Sequence, residues 1–395
     1  MTATLDHPRE ALAEWRAGRI GGLVSLLGEE PGRVRLERVH FPRRRPVQLH
    51  LSVSVGSGAQ VPVLAEHVPG GAAEHAAHAL ASLRKSRNGQ RAGLVGHPVV
   101  VDDARDLVLR RPGLDERLPG LRLLHEKDAA RKAVERLTGG DPGTVAVALV
   151  AHRLGKRAVL RIETSRGTFF ARLRALKSGD GEERLARHVA MWNALGPDAP
   201  LHVPRPVGAL PALGLSLFQA LPGRPPEFGR EDAVAVARAL AALRDLNLPD
   251  LSRHERADEA KLLQAWLARC RTHLPDLAQR IEPAIACVSD ELNRTQATLR
   301  PSHRDLHEKQ ILVEDGVAGL LDFDTLSLAD PALDAGNLLA HLFMTGRDEA
   351  SLRSRLDLPG VALWRRAALL RLAMIHGFSS KPDAVIMRLV EEASR

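Results

Sequence analysis

The chain has 395 residues, 44% hydrophobic and 26% charged, with a formal net charge of +8, which allows two or three domains with a sizeable core. Two cysteines, no apolar run near the ~20 residues of a membrane span, and no apolar stretch in MTATLDHPREALAEW exclude a disulfide scaffold, a membrane span and a secretion signal, so a cytoplasmic protein with no membrane partner is expected. The basic balance would suit nucleic acid, but only 3% of residues are aromatic and none is tyrosine, so the stacking surface is poor and a nucleic-acid partner is not expected.

In chain order, residues 1–135 form a first α+β region. It holds the strand-like VHFPRRRPVQLHLSV (39–53), the helix-like EHAAHALASL ending at Leu83, and the turn-rich VLRRPGLDERLPG. Its HFPRRRP turn is either an anion or partner contact or a solvated turn. Residues 144–175 read as three strands, TVAVALVAH, RAVLRIET and TFFARLRA, joined by LGKR and by Ser165-Arg166-Gly167. Between 151 and 177 there are eight Lys and Arg against one acid, Glu163. A helix from about Glu182 to Leu195 follows, then VPRPVG, a short strand LSLFQAL, and Pro222-Gly223. From 224 to 300 and from 346 to 395, apolar residues recur at three- and four-residue spacing, the pattern of amphipathic helices. Cys270 and Cys287 fall in this helical part without metal-ligand spacing.

Residues 303–334 invert the charge. Eight acids face only Arg304 and Lys309 there, a local balance of −6 among apolar runs. Carboxylates crowded in that way repel one another unless a cation lies between them. ILV at 311–313 and GLL at 319–321 predict two strands joined at Glu314-Asp315-Gly316. Folding that hairpin brings Asp305, Gln310 and Asp322 to one end of a ribbon. One carboxylate can then orient an acceptor hydroxyl, while an amide oxygen and a second carboxylate hold Mg²⁺ on nucleotide phosphates. Oxygen ligands suit magnesium, and no cysteine is needed.

The order His303-Arg304-Asp305, Gln310, Asp322-Phe323-Asp324 and Asp330-Pro331-x-x-Asp334 resembles the aminoglycoside phosphotransferase and choline kinase branch of the protein-kinase-like fold. The resemblance implies an ATP- or GTP-dependent phosphotransferase with an antiparallel β small lobe and a helical large lobe. Asp305 then stands at the catalytic position, Asp322 and Gln310 at the Mg²⁺ ligands, and His303, Asp330 and Asp334 at structural positions, the last bracing the catalytic loop. Asp330 and Asp334 also fit plain helix N-caps. Asp324 is either a water- or acceptor-binding group or structural. Gln310 departs from the family's asparagine; it keeps the carbonyl and adds a methylene. Residues 140–222 resemble the small lobe, with Gln219, Ala220 and Leu221 as the hinge whose backbone meets the base, and 223–395 the large lobe. A glycine-rich loop is missing; only Leu154-Gly155-Lys156-Arg157 stands in its place. Arg172 takes the position of the phosphate-gripping lysine, with Lys177 too late in the strand. Arginine keeps the charge but needs another geometry. Glu183 is its expected helix partner, or His188 takes that place.

The N-terminal region also reads as a degenerate repeat of the small lobe, or as an unrelated α+β cap. VHFPRRRPVQLHLSV (39–53) resembles VAHRLGKRAVLRIET (150–164), with Arg45 corresponding to Arg157 at an offset of 112 residues, and Leu83 parallels Leu195 at that same offset. The functional expectation is a kinase for a small-molecule hydroxyl: a sugar, an amino alcohol, an aminoglycoside-like compound or a biosynthetic intermediate. Residues 346–395 hold many arginines and no comparable acidic run, which tilts it away from polycationic acceptors. A peptide hydroxyl and a non-catalytic kinase-like binding module are the other readings.

Overall fold

The computed structural model describes residues 8–42, 45–56, 58–85, 97–176, 180–196 and 198–395. Lys177, and Arg43 and Arg44 of the HFPRRRP turn, lie outside the described residues. The chain divides into two compact units. The first comprises Met1–Glu183, Val207–Gln219 and Phe378–Lys381; the second comprises Arg184–Pro206, Ala220–Gly377 and Pro382–Arg395. The expected N-terminal region and the small-lobe strands therefore belong to one unit.

The first unit contains two five-stranded sheets with the same wiring. One consists of β1 (Val34–His40), β2 (Val47–Ser54), β3 (Gln60–His67), β4 (Val99–Asp102) and β5 (Leu107–Arg110), in the spatial order β1-β2-β3-β5-β4. In the other, β6 (Ala146–Arg153), β7 (Arg157–Thr164) and β8 (Gly167–Arg174) are followed, after β9 (Leu201–His202) of the second unit, by β10 (Pro206–Leu210) and β11 (Leu215–Gln219). Their order is β6-β7-β8-β11-β10. In sequence, a helix follows the third strand of each, Ala72–Lys85 and Asp180–Ala194. A single 3₁₀ turn precedes the last strand of each, ending at Asp106 (φ 49°) or Gly214 (φ 58°). Even the register slips alike: β1 shifts against β2 between Leu36 and Arg38, and β6 against β7 between Leu149 and Ala151.

The second sheet shows why these residues form strands. Ala158, Leu160 and Ile162 of β7 and Phe169, Ala171 and Leu173 of β8 alternate onto one buried face. The helix Lys127–Thr138 covers that face with Ala130, Ala133 and Val134, and ends at left-handed Gly139. In the first sheet, Val99 and Val108 meet Ala72, Ala76 and Leu83 of the helix Ala72–Lys85. Residues 378–381 return to its edge, where Ser380 N–H donates to Leu36 O at 2.7 Å and Leu36 N–H donates to Ser380 Oγ at 2.9 Å.

The second unit is mainly helical. Arg230–Asp245, Arg256–His273, Pro275–Arg294, Ala332–Thr345, Val361–Gly377 and Asp383–Ala393 are its long helices. Two small sheets carry the loops: β12 (Arg253–His254), β13 (Arg300–Ser302) and β16 (Ser327–Ala329) in one, β14 (Ile311–Glu314) and β15 (Val317–Leu320) with β9 in the other. The predicted hairpin is there. Asp315 and Gly316 both take positive φ, 50° and 76°, and Glu314 pairs with Val317, so a two-residue turn matches the strand twist. Leu306, Ile311, Val313, Ala318 and Leu320 pack with Val236, Ala239 and Leu240 of the helix Arg230–Asp245. No helix among the described residues is long and apolar enough to cross a membrane. Both cysteines are free thiols, and burial pushes Cys270 up to about 12.

Candidate active site

The loop after β13 is shaped by one carboxylate. Asp334, in the first turn of the helix Ala332–Thr345, is 4% exposed and accepts His303 N–H and Arg304 N–H, each at 2.7 Å. Burial pushes its carboxyl up against those two bonds and the nearby His303. Arg304 is held at φ 70°, a conformation that a branched chain of contacts must enforce in a residue other than glycine. His303 is fully buried. Its Nε2–H donates to Leu321 O at 2.7 Å, and its Nδ1 accepts Asp305 N–H at 3.4 Å, which sets its tautomer. Thr325 Oγ1–H donates to His303 O at 2.7 Å. The next residue outward is Asp305, whose side chain is exposed, while Leu306 after it is buried. Asn337, one helical turn after Asp334, donates to Leu306 O at 2.9 Å and accepts from Arg371 at 2.6 Å. Arg371 also pairs with the buried Glu259.

The ribbon brings the remaining residues to this loop. Leu321 N–H donates to Gln310 O at 2.9 Å, so Asp322 follows directly beside the strand entry at Gln310. Leu321 O is the atom that holds His303, which ties all three segments together. Gln310 is 7% exposed, and its Oε1 has no hydrogen-bond partner. Such an orphaned carbonyl costs about 1–3 kcal/mol, unless a donor or cation meets it. Asp322 turns the chain at φ 63°, into the 3₁₀ turn Phe323–Thr325. The Phe323 ring lies 5.0 Å from the His303 ring and 5.9 Å from that of His188. Among the described residues no three of His, Cys, Asp and Glu form a self-contained metal site. The donor set, one carboxylate and one unpartnered amide oxygen, fits a hard cation that completes its shell with phosphate oxygens.

The structure thus gathers His303, Asp305, Gln310, Asp322, Asp324 and Asp334. Asp330 stands apart from that group. It is 1% exposed, accepts from Arg256 at 2.6 Å and Trp364 Nε1–H at 2.8 Å, and caps its own helix through Ala332 N–H at 2.9 Å. Glu183 has an exposed side chain. Its neighbour Arg184 is the one that meets the turn after Asp322: it donates to Asp324 O at 2.5 Å and lies 3.7 Å from Asp324 Oδ1. Sequence reasoning passed over Arg184 and Asn337. Helical spacing was the available signal: Arg184 and His188 are four residues apart, as Asp334 and Asn337 are three apart.

In the first unit, Arg172 sits mid-strand in β8, opposite Val159 of β7 and Ser216 of β11, with its guanidinium 5.7 Å from the Phe218 ring centre. Gln219 ends β11 opposite Phe169, with an exposed side chain. Ala220 and Leu221 open the second segment of the second unit, where any side chain at Gly319 would collide with Leu221.

The family model that matches this chain is that of the phosphotransferase enzyme family, over residues 146–370. No curated protein matches the chain in sequence. Solved structures similar to it include spectinomycin phosphotransferase in complex with ADP and spectinomycin, at 10% identity over 68% of this chain and 97% of that one, TM-score 0.49. An amicoumacin kinase in complex with AMP-PNP and Ca²⁺ is 14% identical over 68% and 92%, TM-score 0.47. An ethanolamine kinase of Plasmodium vivax is 12% identical over 70% and 88%, TM-score 0.47.

Proposed function

Since this chain belongs to the phosphotransferase enzyme family, we propose that it moves the γ-phosphate of ATP or GTP to a hydroxyl of a small molecule. The observation that carries the reading is the loop held by Asp334. It presents an exposed Asp305 beside a ribbon that ends in Asp322 and an unpartnered Gln310 oxygen.

In phosphoryl transfer the protein chiefly positions reactants and offsets charge. Asp305 orients the acceptor hydroxyl and takes its proton late in the step, and its exposure leaves room for an acceptor. Asp322 and Gln310 are the residues that would hold Mg²⁺, which would neutralise charge on the β- and γ-phosphates. Arg184 fixes Asp324 and so the turn that follows Asp322. Arg172 contacts the phosphates, and the main chain of Gln219, Ala220 and Leu221 meets the base. Sugars, amino alcohols, aminoglycoside-like compounds and biosynthetic intermediates are the acceptor classes.

A panel of such acceptors, scored by Mg²⁺-dependent nucleotide consumption, tests the reading. At least one hydroxyl compound should raise consumption well above the rate with water alone. Nucleotide binding with no acceptor that raises consumption would favour the binding-module reading instead.

A further inference from the structure

In kinase-like folds, the turn between the first two small-lobe strands covers the nucleotide phosphates, and a glycine-rich sequence lets its backbone approach them. Here the turn between β6 and β7 is Leu154-Gly155-Lys156, with a single glycine at φ 63°. Its backbone is already engaged by residues 45–115. Gly155 N–H donates to Asp115 Oδ2 at 2.5 Å, Arg45 Nη1 donates to Gly155 O at 2.9 Å, and Gln48 Nε2 donates to Leu154 O at 3.3 Å.

The clamp is a built one. Asp115 is fully buried and also accepts Arg117 N–H at 2.9 Å and His152 Nε2–H at 3.1 Å, while Gly113 N–H donates to His152 Nδ1 at 3.1 Å. Burial pushes the Asp115 carboxyl up, but the bonds from His152 and from the Gly155 and Arg117 amides outweigh it and hold it below the ordinary carboxylate range. An ionised carboxylate with that many donors fixes the turn and consumes the Gly155 amide. The same residues bring positive charge to the tip. A Cβ placed on Gly155 would lie 2.8 Å from Arg45 Nη1 and 3.2 Å from Arg117 Nη1, and both arginines are exposed. A guanidinium has five donors, of which Arg45 spends one on Gly155 O.

We propose that the N-terminal region completes the nucleotide site: Asp115 fixes the phosphate-covering turn, and Arg45 and Arg117 give the triphosphate the contacts that a glycine-rich backbone gives elsewhere. The proposal rests on the kinase reading above. Asp115 acts through the turn and is a positioning residue, whereas the two arginines touch the ligand.

The test is calorimetric binding of Mg·ATP and of adenosine to the full chain and to Arg45→Ala, Arg117→Ala and Asp115→Asn. Each arginine variant should weaken ATP about tenfold, the loss of one charge-assisted contact, and leave adenosine within a factor of about two. Arg45→Lys should recover part of the ATP affinity. Asp115→Asn should weaken ATP and not adenosine. Variants that bind ATP like the wild type, or that lose ATP and adenosine equally, would overturn the proposal while leaving the kinase reading intact. A wild-type chain that binds neither compound would overturn both.

Discussion

Asp334 and Asp115 do the same physical job in different units. Each is a buried carboxylate, 4% and 0% exposed, that accepts two backbone N–H groups: Asp334 takes both from the loop after β13, and Asp115 takes one from the β6–β7 turn and one from Arg117 in its own segment. Their surroundings differ. Asp115 also accepts from His152, and its carboxyl is held low; Asp334 is driven up by burial. The contrast teaches that a carboxylate can serve a site without meeting its ligand. On the proposed roles, the loop that each shapes decides which kinetic parameter it controls: the acceptor's loop for Asp334, and the turn over the nucleotide phosphates for Asp115.

The largest effect should come from the residue that the Asp334 loop presents. Asp305→Ala should lower kcat by about 10²–10⁴-fold with nucleotide affinity nearly unchanged, as read from steady-state kinetics and calorimetry. Asp334→Ala strands two buried N–H groups. It should cost about 2–5 kcal/mol in chemical denaturation and lower kcat, while KM for nucleotide stays close to wild type. Asp115→Asn should reverse that split, raising KM for nucleotide about tenfold with kcat within a factor of about two. If both variants changed the same parameter, the division of labour between the two clamps would be wrong.

Acid sharpens the comparison further. Asp115 has a depressed folded pKa, so its stabilisation is complete above the unfolded value of about 3.9 and is lost as pH falls through the folded value. Asp334 has a raised folded pKa, so its contribution is complete below about 3.9 and is lost as pH rises through the folded value. In urea melts between pH 3 and pH 7, the wild type should therefore lose its margin over Asp115→Asn toward acid. Its margin over Asp334→Asn should shrink toward neutrality. Parallel curves would refute the opposite signs. The smallest effect belongs to Gln310→Asn, which should shift the Mg²⁺ concentration for half-maximal rate a few-fold and leave the melting curve unchanged; an unchanged Mg²⁺ response would remove Gln310 from the metal shell.

The local fold of residues 303–334 was legible because its parts are close in sequence. Asp315-Gly316 demands a tight hairpin, and that hairpin forces Gln310 beside Asp322. Helix phase was harder: Glu183 and Arg184 are adjacent, and only packing decides which of them meets Asp324. Asp115 was illegible, since its meaning depends on burial and on partners at 152 and 155. The faint likeness between residues 39–53 and 150–164 has a structural counterpart in the shared strand order of the two sheets, which supports the proposal that the first is a second small-lobe copy.

The central claim is that residues 303–334 form the metal-bearing half of a phosphotransferase site. Titration of ATP into the wild type and Asp322→Ala, with and without Mg²⁺, tests it most directly. The account predicts that Mg²⁺ tightens ATP binding to the wild type and has little effect on Asp322→Ala. ATP affinity that ignores Mg²⁺ in the wild type, or a full Mg²⁺ response in Asp322→Ala, would contradict it.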